Sequence, residues 1–466
     1  MKKILILAAL IFPFYLFSQN IEDALRFSRT ENFSTARSMG VAGAFGAMGA
    51  DFGAISYNPA ALGNYWKGEM VFSLGTQSTK SFGQLENNGS TTTDQAFTFD
   101  NIGLVSNWNK ITKEKIISKS FAIGLNSVAS YGYDLNAEGS NAGSILEDSD
   151  LFSGVDYSSF TDFKINKLQR IKESGSQKEL LFAYGQNHND MLLWGISVGM
   201  PFINYSTDRE YSETAPGDLI NNPDLDFYFT NVQYSTGFST VGVGVNLKAG
   251  AIAKLPGKTR VGLSVHTPSW LKLKDDYNEY LEVKTINFWI FDTIDYEGYF
   301  DYNLKTPWKF IGSVGKIFGN ENVGGFVNMD AEYIYNPGMK FNYHKYSSSS
   351  DDLDAEKEIN DKLEKDLKGA FNIRLGAELA VKKFRIRGGA AFYDSPFKSD
   401  ADYNPATVLS AGIGYRGDSF YIDLAYVNSK YNYAYYPYVA DNKSRSPRID
   451  IDKTINKFNA TVGLKF

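Results

Sequence analysis

The stretch "GISVG", residues 195–199, has the spacing G-x-S-x-G, which in a hydrolase presents a serine nucleophile on a tight strand-to-helix turn. Here Ser197 stands between Ile196 and Val198 in an alternating run that reads as the middle of a strand, so the turn this chemistry needs is missing. The three histidines, His188, His266 and His344, have no partner at metal-ligand spacing and read as turn, strand-end and loop residues, although distant histidines can converge on a metal or haem. The acidic pairs Asp148/Asp150, Asp224/Asp226 and Asp450/Asp452 could hold Ca²⁺. None sits in the Gly-centred loop of an EF-hand, and solvated loop carboxylates are the simpler reading. The chain has no cysteine, which removes disulfides, thiolate metal sites and Cys nucleophiles together. The expectation is a protein without catalysis, metal or cofactor.

What stands out instead is apolar. Residues 286–302, "INFWIFDTIDYEGYFDY", bring Phe288, Trp289 and Phe291 together with Tyr296, Tyr299, Phe300 and Tyr302. Part of such a cluster belongs to the aromatic girdle at a membrane interface. The rest is too greasy for a plain surface loop and suggests a ligand groove or a partner surface.

The elements that would position these residues are strands. "NATVGLKF" puts Ala460, Val462, Leu464 and Phe466 on one face, and Asn459, Thr461, Gly463 and Lys465 on the other. The same period of two runs through Ile373–Val381, Phe420–Tyr426 and Val241–Leu247. Read coarsely along the chain, about fourteen strands result. Their connections alternate long (77–96, 134–177, 204–236, 268–298, 337–368, 434–453) with short (188–189, 255–258, 319–322, Lys383, Gly417). Outer-membrane barrels have short periplasmic turns and long extracellular loops, and that register puts both chain ends on the short-turn side. Within 337–368 the period changes: Ser350 can cap a helix whose first turn carries Asp351, Asp352 and Asp354, with Leu353, Ile359, Leu363 and Leu367 on one side. An acidic helix over the extracellular mouth is expected.

Composition agrees with this architecture. Aromatic residues make up 15% of the 466-residue chain, more than a globular core needs. Residues 1–19 carry Lys2 and Lys3, an apolar run from Ile4 to Phe17, and then Ser18-Gln19, the plan of a secretory signal peptide too short to span as a helix. Taking Lys2 and Lys3 from the 47 basic residues leaves 45 against 53 acidic ones, a net charge of −8 that argues against nucleic acid as a partner.

Between the signal peptide and the first strand lies 20–66, which lacks alternation and carries glycines at every third position from Gly40 to Gly49. No Lys-Ser/Thr follows as in a P-loop, and no strand precedes it as in a dinucleotide site. Small residues let backbone approach backbone, which suits a compact plug inside a barrel. The stretch "TARSMGVAGAFGAMGADFGAISYNPAALG" (35–63), with Asn58-Pro59-Ala60 near its end, resembles the N-terminal hatch of FadL-type outer-membrane transporters. "RVGLSVHTPSW" (260–270) and "KTPWKFIGSVG" (305–315) are weaker echoes of the same family.

The resemblance implies an all-β, antiparallel transmembrane barrel of fourteen strands (67–466), a hatch (20–66) in its lumen and a location in the Gram-negative outer membrane. It further implies passive uptake of hydrophobic molecules, long-chain fatty acids being the best-known. Ligand would land on an extracellular groove, pass to a site beside the hatch and leave sideways through a kinked strand. Asn58, Pro59 and Ala60 carry over as hatch residues, and Gly132 in "SYGYDL" is a candidate for the kink. Phe45, Met48 and Phe52 of the plug, with Phe288, Trp289 and Phe291, are the candidate ligand contacts. Partners would be a hydrophobic small molecule or lipid, the surrounding outer-membrane lipids and proteins at the extracellular face. A second reading makes the barrel a structural or shuttle subunit of a secretion or assembly machine.

Overall fold

A computed structural model describes residues 20–31, 34–111, 116–146, 164–216, 229–285, 292–320, 322–399, 403–438 and 446–466. Residues 1–19, the expected signal peptide, and Phe288, Trp289 and Phe291 lie outside the described residues.

Fourteen antiparallel strands close into a barrel. In chain order they are β1 (Glu69–Leu85), β2 (Asn88–Ile111), β3 (Ile116–Ser130 with Tyr133–Asn141), β4 (Ile165–His188), β5 (Leu192–Thr214), β6 (Phe229–Leu255), β7 (Thr259–His266 with Trp270–Thr285), β8 (Asp292–Lys305 with Lys309–Gly319), β9 (Val323–Tyr335 with Lys340–Asn342), β10 (Gly369–Val381), β11 (Phe384–Tyr393), β12 (Ala406–Arg416), β13 (Phe420–Tyr435) and β14 (Ile449–Lys465). Pairing of β1 with β14, from Glu69↔Lys465 to Leu85↔Ile449, closes the ring.

Side chains alternate between the two surfaces as the sequence pattern requires. Met70, Phe72, Val241, Val243, Leu375, Leu379, Ile413, Val462 and Leu464 point outward and are exposed, while Ser73, Gln77, Thr79, Ser81, Asn459 and Thr461 face inward and are buried. A polar interior inside an apolar outer belt inverts the plan of a water-soluble sheet protein, and such a belt is at home only in a bilayer. Trp270 and Trp308 lie in that outer surface next to the polar outer reaches of β7 and β8, where interfacial aromatics belong.

Several expected long loops are strand. The turn between β1 and β2 is only Glu86-Asn87, not 77–96. β4, β5 and β6 run for 24, 23 and 27 residues, taking up most of 204–236 and, with the outer part of β3, residues 134–141 and 165–177 of the expected 134–177 loop. β7 and β8 likewise occupy most of 268–298. About ten residues cross a bilayer, so the remainder builds a wall above it. Polar residues and tyrosines alternate there without an apolar lipid face, and the hydrophobic signal that marks a strand in sequence fades.

Four strands are broken. Pro268, Pro307 and Pro337 interrupt β7, β8 and β9, since proline has no N–H for the ladder. Between β7 and β8 the cut is bridged: Ser269 N donates to Thr306 Oγ1 at 2.7 Å and Thr306 N to the Ser269 carbonyl at 3.1 Å. The fourth break, at Tyr131-Gly132 in β3, has a different outcome described below.

Residues 20–31 and 34–66 fill the lumen with three short helices, α1 (Ile21–Ser28), α2 (Ala36–Met39) and α3 (Phe52–Ile55), and a 3-10 turn at Pro59–Asn64. The acidic helix of the long loop is α4 (Ser350–Asp366); its N-cap is Ser349 rather than Ser350, with no side-chain cap bond. Leu363 and Leu367 are buried with Phe341 and Tyr343 of the wall and with Ala24 and Phe27 of α1. Asn360 locks the helix to the wall by donating to the Phe341 carbonyl at 3.0 Å and accepting from Phe341 N at 2.9 Å.

Candidate ligand cavity and wall opening

The hatch sits in a collar of wall glycines. A Cβ at Gly262 would come within 2.7 Å of the Gly46 carbonyl, one at Gly376 within 2.7 Å of Val41 Cβ, and one at Gly412 within 3.2 Å of Gly40 Cα. Gly103 and Gly124 face the Phe52 ring, Gly185 faces Leu62, Gly195 faces Pro59 and Gly389 faces Val41 and Ala42. Hatch and wall therefore approach closely around much of the ring, backbone on backbone at Gly195, Gly262, Gly389 and Gly412.

Charges fasten the same contact. Arg37 of α2 holds both oxygens of Glu378 at 3.2 Å. Arg387 joins Glu378 to Asp423 at 2.6 and 2.7 Å, and Arg416 donates to Asp423 at 2.7 Å. Asp330 of β9 accepts from Phe45 N at 3.1 Å and Gly46 N at 3.2 Å. Asp330, Glu378, Arg387 and Asp423 are buried, and an ion tolerates burial only when it is paired and hydrogen-bonded.

Asn58-Pro59-Ala60 has a physical reason for each residue. Asn58 caps the 3-10 turn by accepting from Ala60 N at 3.1 Å, while its Nδ2 donates to the Gly46 carbonyl at 2.8 Å. Pro59 takes the first helical position, where its missing N–H costs nothing. Ala60 packs against Leu193 and Ile252, and Gly195 of β5 approaches the Pro59-Ala60 peptide. Replacing Asn58 by Ala uncovers two buried backbone groups, an expected cost of about 2–4 kcal/mol. Thermal melting of the barrel in detergent, followed by circular dichroism, measures it.

Phe45, Met48 and Phe52 go to packing in this state. Phe45 meets Phe326 edge-on at 5.4 Å and lies under Arg37, Met48 covers Gly315, and Phe52 covers Gly103 and Gly124. None of the three lines the cavities described next.

Above the hatch, a cavity of about 160 Å³ lies between residues 25–31 and the inner wall from β9 to β14. Leu25, Met39, Val408, Val427 and Ile455 give it an apolar surface, and Tyr393, Tyr403 and Tyr431 add rings with polar ends. Arg29 donates to Tyr403 Oη at 2.6 Å, and Lys457 to Asp100 at 2.6 Å. Glu31, Glu332 and Asp394 also line the cavity. A second cavity of about 80 Å³, more polar, lies on the other side of residues 28–31 among Glu179, Lys248, His266 and Lys309. The first lining had a signal in the sequence. Val408, Val427 and Ile455 occupy strand positions that face inward, where serine, threonine and asparagine are the rule.

At β3 the wall comes apart. β2 pairs with β3 only between Asn101↔Asn126 and Ile111↔Ile116. Past that point β3 bulges between Ser127 and Ala129, breaks at Tyr131-Gly132, and continues paired only with β4. Its outer part turns into the barrel and lies over β1, with Leu135 and Ala137 on Gly83 and Leu85 on Gly139. No backbone ladder joins residues 88–100 of β2 to β3 among the described residues; Thr92 Oγ1 donating to the Asp134 carbonyl at 2.6 Å is a side-chain contact across the opening. Gly132 sits at the break, where a Cβ would meet Asp94 Oδ2 at 2.5 Å. Phe97, 72% exposed, and Phe99 stand on the outer face beside the opening, and Lys178 of β4 reaches over the Phe99 ring at 5.3 Å. The hatch touches this place as well: Glu31 N donates to the Val128 carbonyl at 2.8 Å, and Phe27 meets Tyr131 edge-on.

Ser197 lies inside β5 as a buried wall residue. His266 donates from Nε2 to the Tyr57 carbonyl of the hatch at 2.8 Å, a structural bond. Among the described residues no three acidic or histidine side chains form a metal-holding group.

No protein-family model matches the sequence and no curated protein matches it in sequence. In fold the chain is similar to a FadL homologue of Pseudomonas aeruginosa, with a TM-score of 0.61 and 13% identity over 94% of this chain and 100% of that one. It is also similar to the toluene transporter TodX of P. putida (TM-score 0.54, 10% identity, 94% and 99% covered) and to the toluene transporter TbuX of Ralstonia pickettii (TM-score 0.52, 15% identity, 95% and 100% covered). The barrel with a lumenal N-terminal segment is thus the FadL-type fold.

Proposed function

We propose that this chain is an outer-membrane channel for passive uptake of small hydrophobic molecules. Cargo enters from the long-loop side, rests in the cavity above the hatch, and leaves sideways between β2 and β3 into the outer leaflet. The observation that carries the reading is the combination of a hatch packed against the wall with an unladdered stretch of wall at β3, which Glu31 of the cavity lining touches through its bond to the Val128 carbonyl: straight passage meets packed backbone, and lateral passage does not. The similarity in fold to two toluene transporters supports it. Partitioning drives the flow, and no covalent chemistry is needed.

Size and charge narrow the cargo. A dry cavity of about 150 Å³ holds benzene, so about 160 Å³ suits a single ring or a short chain. A long-chain fatty acid would have to extend past residues 28–31 into the second cavity. Two cations, both engaged, face three carboxylates in the lining, which favours an uncharged cargo over a fatty-acid anion. A subunit role would draw on 286–302, part of which lies outside the described residues, and on α4, which spends its apolar side on this barrel.

The test is Val408→Trp, which fills the cavity from the wall side. Uptake of a single-ring probe into proteoliposomes is expected to fall severalfold, with melting unchanged. Unaltered uptake with the indole in the cavity would remove the cavity from the route.

A further inference from the structure

Beneath the hatch, at the short-turn end, the lumen opens into a vestibule of about 720 Å³ whose floor is Arg37, Ala50 and Asp51. Its acidic groups are already satisfied. Asp51 accepts from Thr35 Oγ1 at 2.6 Å and Gly53 N at 2.9 Å, Glu69 accepts from Tyr65 and Tyr421 at 3.2 and 3.0 Å, and Glu378 is held by Arg37 and Arg387. The cations at the rim are held only by neutral groups. Lys258 donates to the Gly319 carbonyl at 3.1 Å, Arg385 donates to the Lys382 and Phe384 carbonyls at 2.8 Å, and Lys465 lies over the Tyr421 ring at 5.6 Å. Neither these three nor Lys382 makes a salt bridge among the described residues. The mouth of the vestibule is therefore positive on a chain whose net charge is negative.

The position of this surplus excludes two ordinary explanations. Rim cations that face the bilayer would meet lipid phosphates, but Arg385 and Lys465 stand at inward positions of a wall closed here by the β10–β11, β11–β12, β12–β13, β13–β14 and β14–β1 ladders, with Lys258 and Lys382 in turns that line the same mouth. A cargo headgroup would meet them only by crossing the hatch, which the glycine collar seals. The anion has to come from the periplasm. Four flexible or turn-borne cations spread around an open mouth make no single preorganised fork for one phosphate. They suit several carboxylates strung along a chain.

We propose that the vestibule is a docking site for an acidic peptide segment of a soluble periplasmic protein. Its carboxylates pair with Lys258, Lys382, Arg385 and Lys465. The site is separate from the uptake route, so a barrel with the vestibule altered still takes up hydrophobic cargo.

Fluorescence anisotropy of a labelled octaglutamate peptide, titrated with the full chain in nanodiscs at low ionic strength, tests it. Binding that weakens with salt and exceeds that of octalysine is expected. Lys382→Glu combined with Arg385→Glu should weaken it roughly tenfold or more, and the milder Lys258→Gln with Lys465→Gln should weaken it less while melting stays unchanged. Equal binding of octaglutamate and octalysine, equal binding by the charge-reversed variant, or displacement of the peptide by equimolar inorganic phosphate would each overturn the proposal. Loss of hydrophobic uptake alone would strike the uptake reading and leave this one standing.

Discussion

Tying β2 to β3 across the wall opening stops uptake. The chain has no cysteine of its own, so Thr92→Cys with Asp134→Cys provides the only thiols, and a short cleavable bis-maleimide joins them on either side of the Thr92–Asp134 contact. Uptake of a single-ring probe by vesicles is expected to fall to the background of barrel-free vesicles after crosslinking and to return when the linker is cleaved. The effect is large because the hatch offers no alternative: its backbone lies against wall glycines, and Arg37, Asp330 and Asn58 are bonded where any movement would strand buried charge or uncovered peptide groups. The uncrosslinked double variant, which still folds and transports, separates closure from damage. Crosslinked barrels that transport at the uncrosslinked rate would mean that the gap between Asp94 and Gly132 is not the exit.

Gly389→Val unseats the hatch, whereas Gly388→Val beside it does nothing. At Gly389 the added side chain would run into the backbone of Val41 and Ala42, which cannot rotate away as a side-chain tip can. Overpacking of this kind costs about 1–3 kcal/mol or more, and here it falls on the contact that closes the lumen. Gly388 faces lipid with no atom within 4 Å of its missing Cβ, so valine there meets only acyl chains. Single-channel recording in planar bilayers is the measurement: the Gly389 variant should conduct small ions and its residues 36–64 should become sensitive to protease, while the Gly388 variant should match the parent. Equal conductance in all three proteins would show that the collar does not hold the seal.

The wall was legible residue by residue because a strand's two faces are written in alternation. Val462 and Leu464 point to lipid, and Thr461 and Asn459 to the lumen, as their spacing requires. The same rule failed above the bilayer. The outer parts of β4, β5 and β6 look like loops in sequence, since a strand with water on one side and a polar lumen on the other has no apolar face to betray it. The plug could be recognised as something that must fit closely, from glycine and alanine without alternation. Which of its aromatic residues would meet a ligand could not: Phe45 and Phe52 are as greasy as any cavity lining, but the collar claims them, and the cavity falls to Leu25 and Met39 with Val408 and Val427 from strands hundreds of residues away.

Sequence by itself determined the class of object, because patterning of period two, an outward apolar face, small plug residues and absent cysteine are local properties that each segment carries alone. Tertiary structure decided where the wall opens. Whether Gly132 bends a strand outward, inward or not at all depends on what its neighbours offer on either side. Gly83 and Gly139 made room for Leu135 and Leu85 inside the barrel, and so β3 left β2 at that level and the wall opened. The prolines of β7 and β8 looked at least as disruptive in sequence, yet Thr306 and Ser269 supplied the missing bonds across the cut and the wall stayed shut. A ladder is a relation between two strands, and only the fold says which pairs complete it.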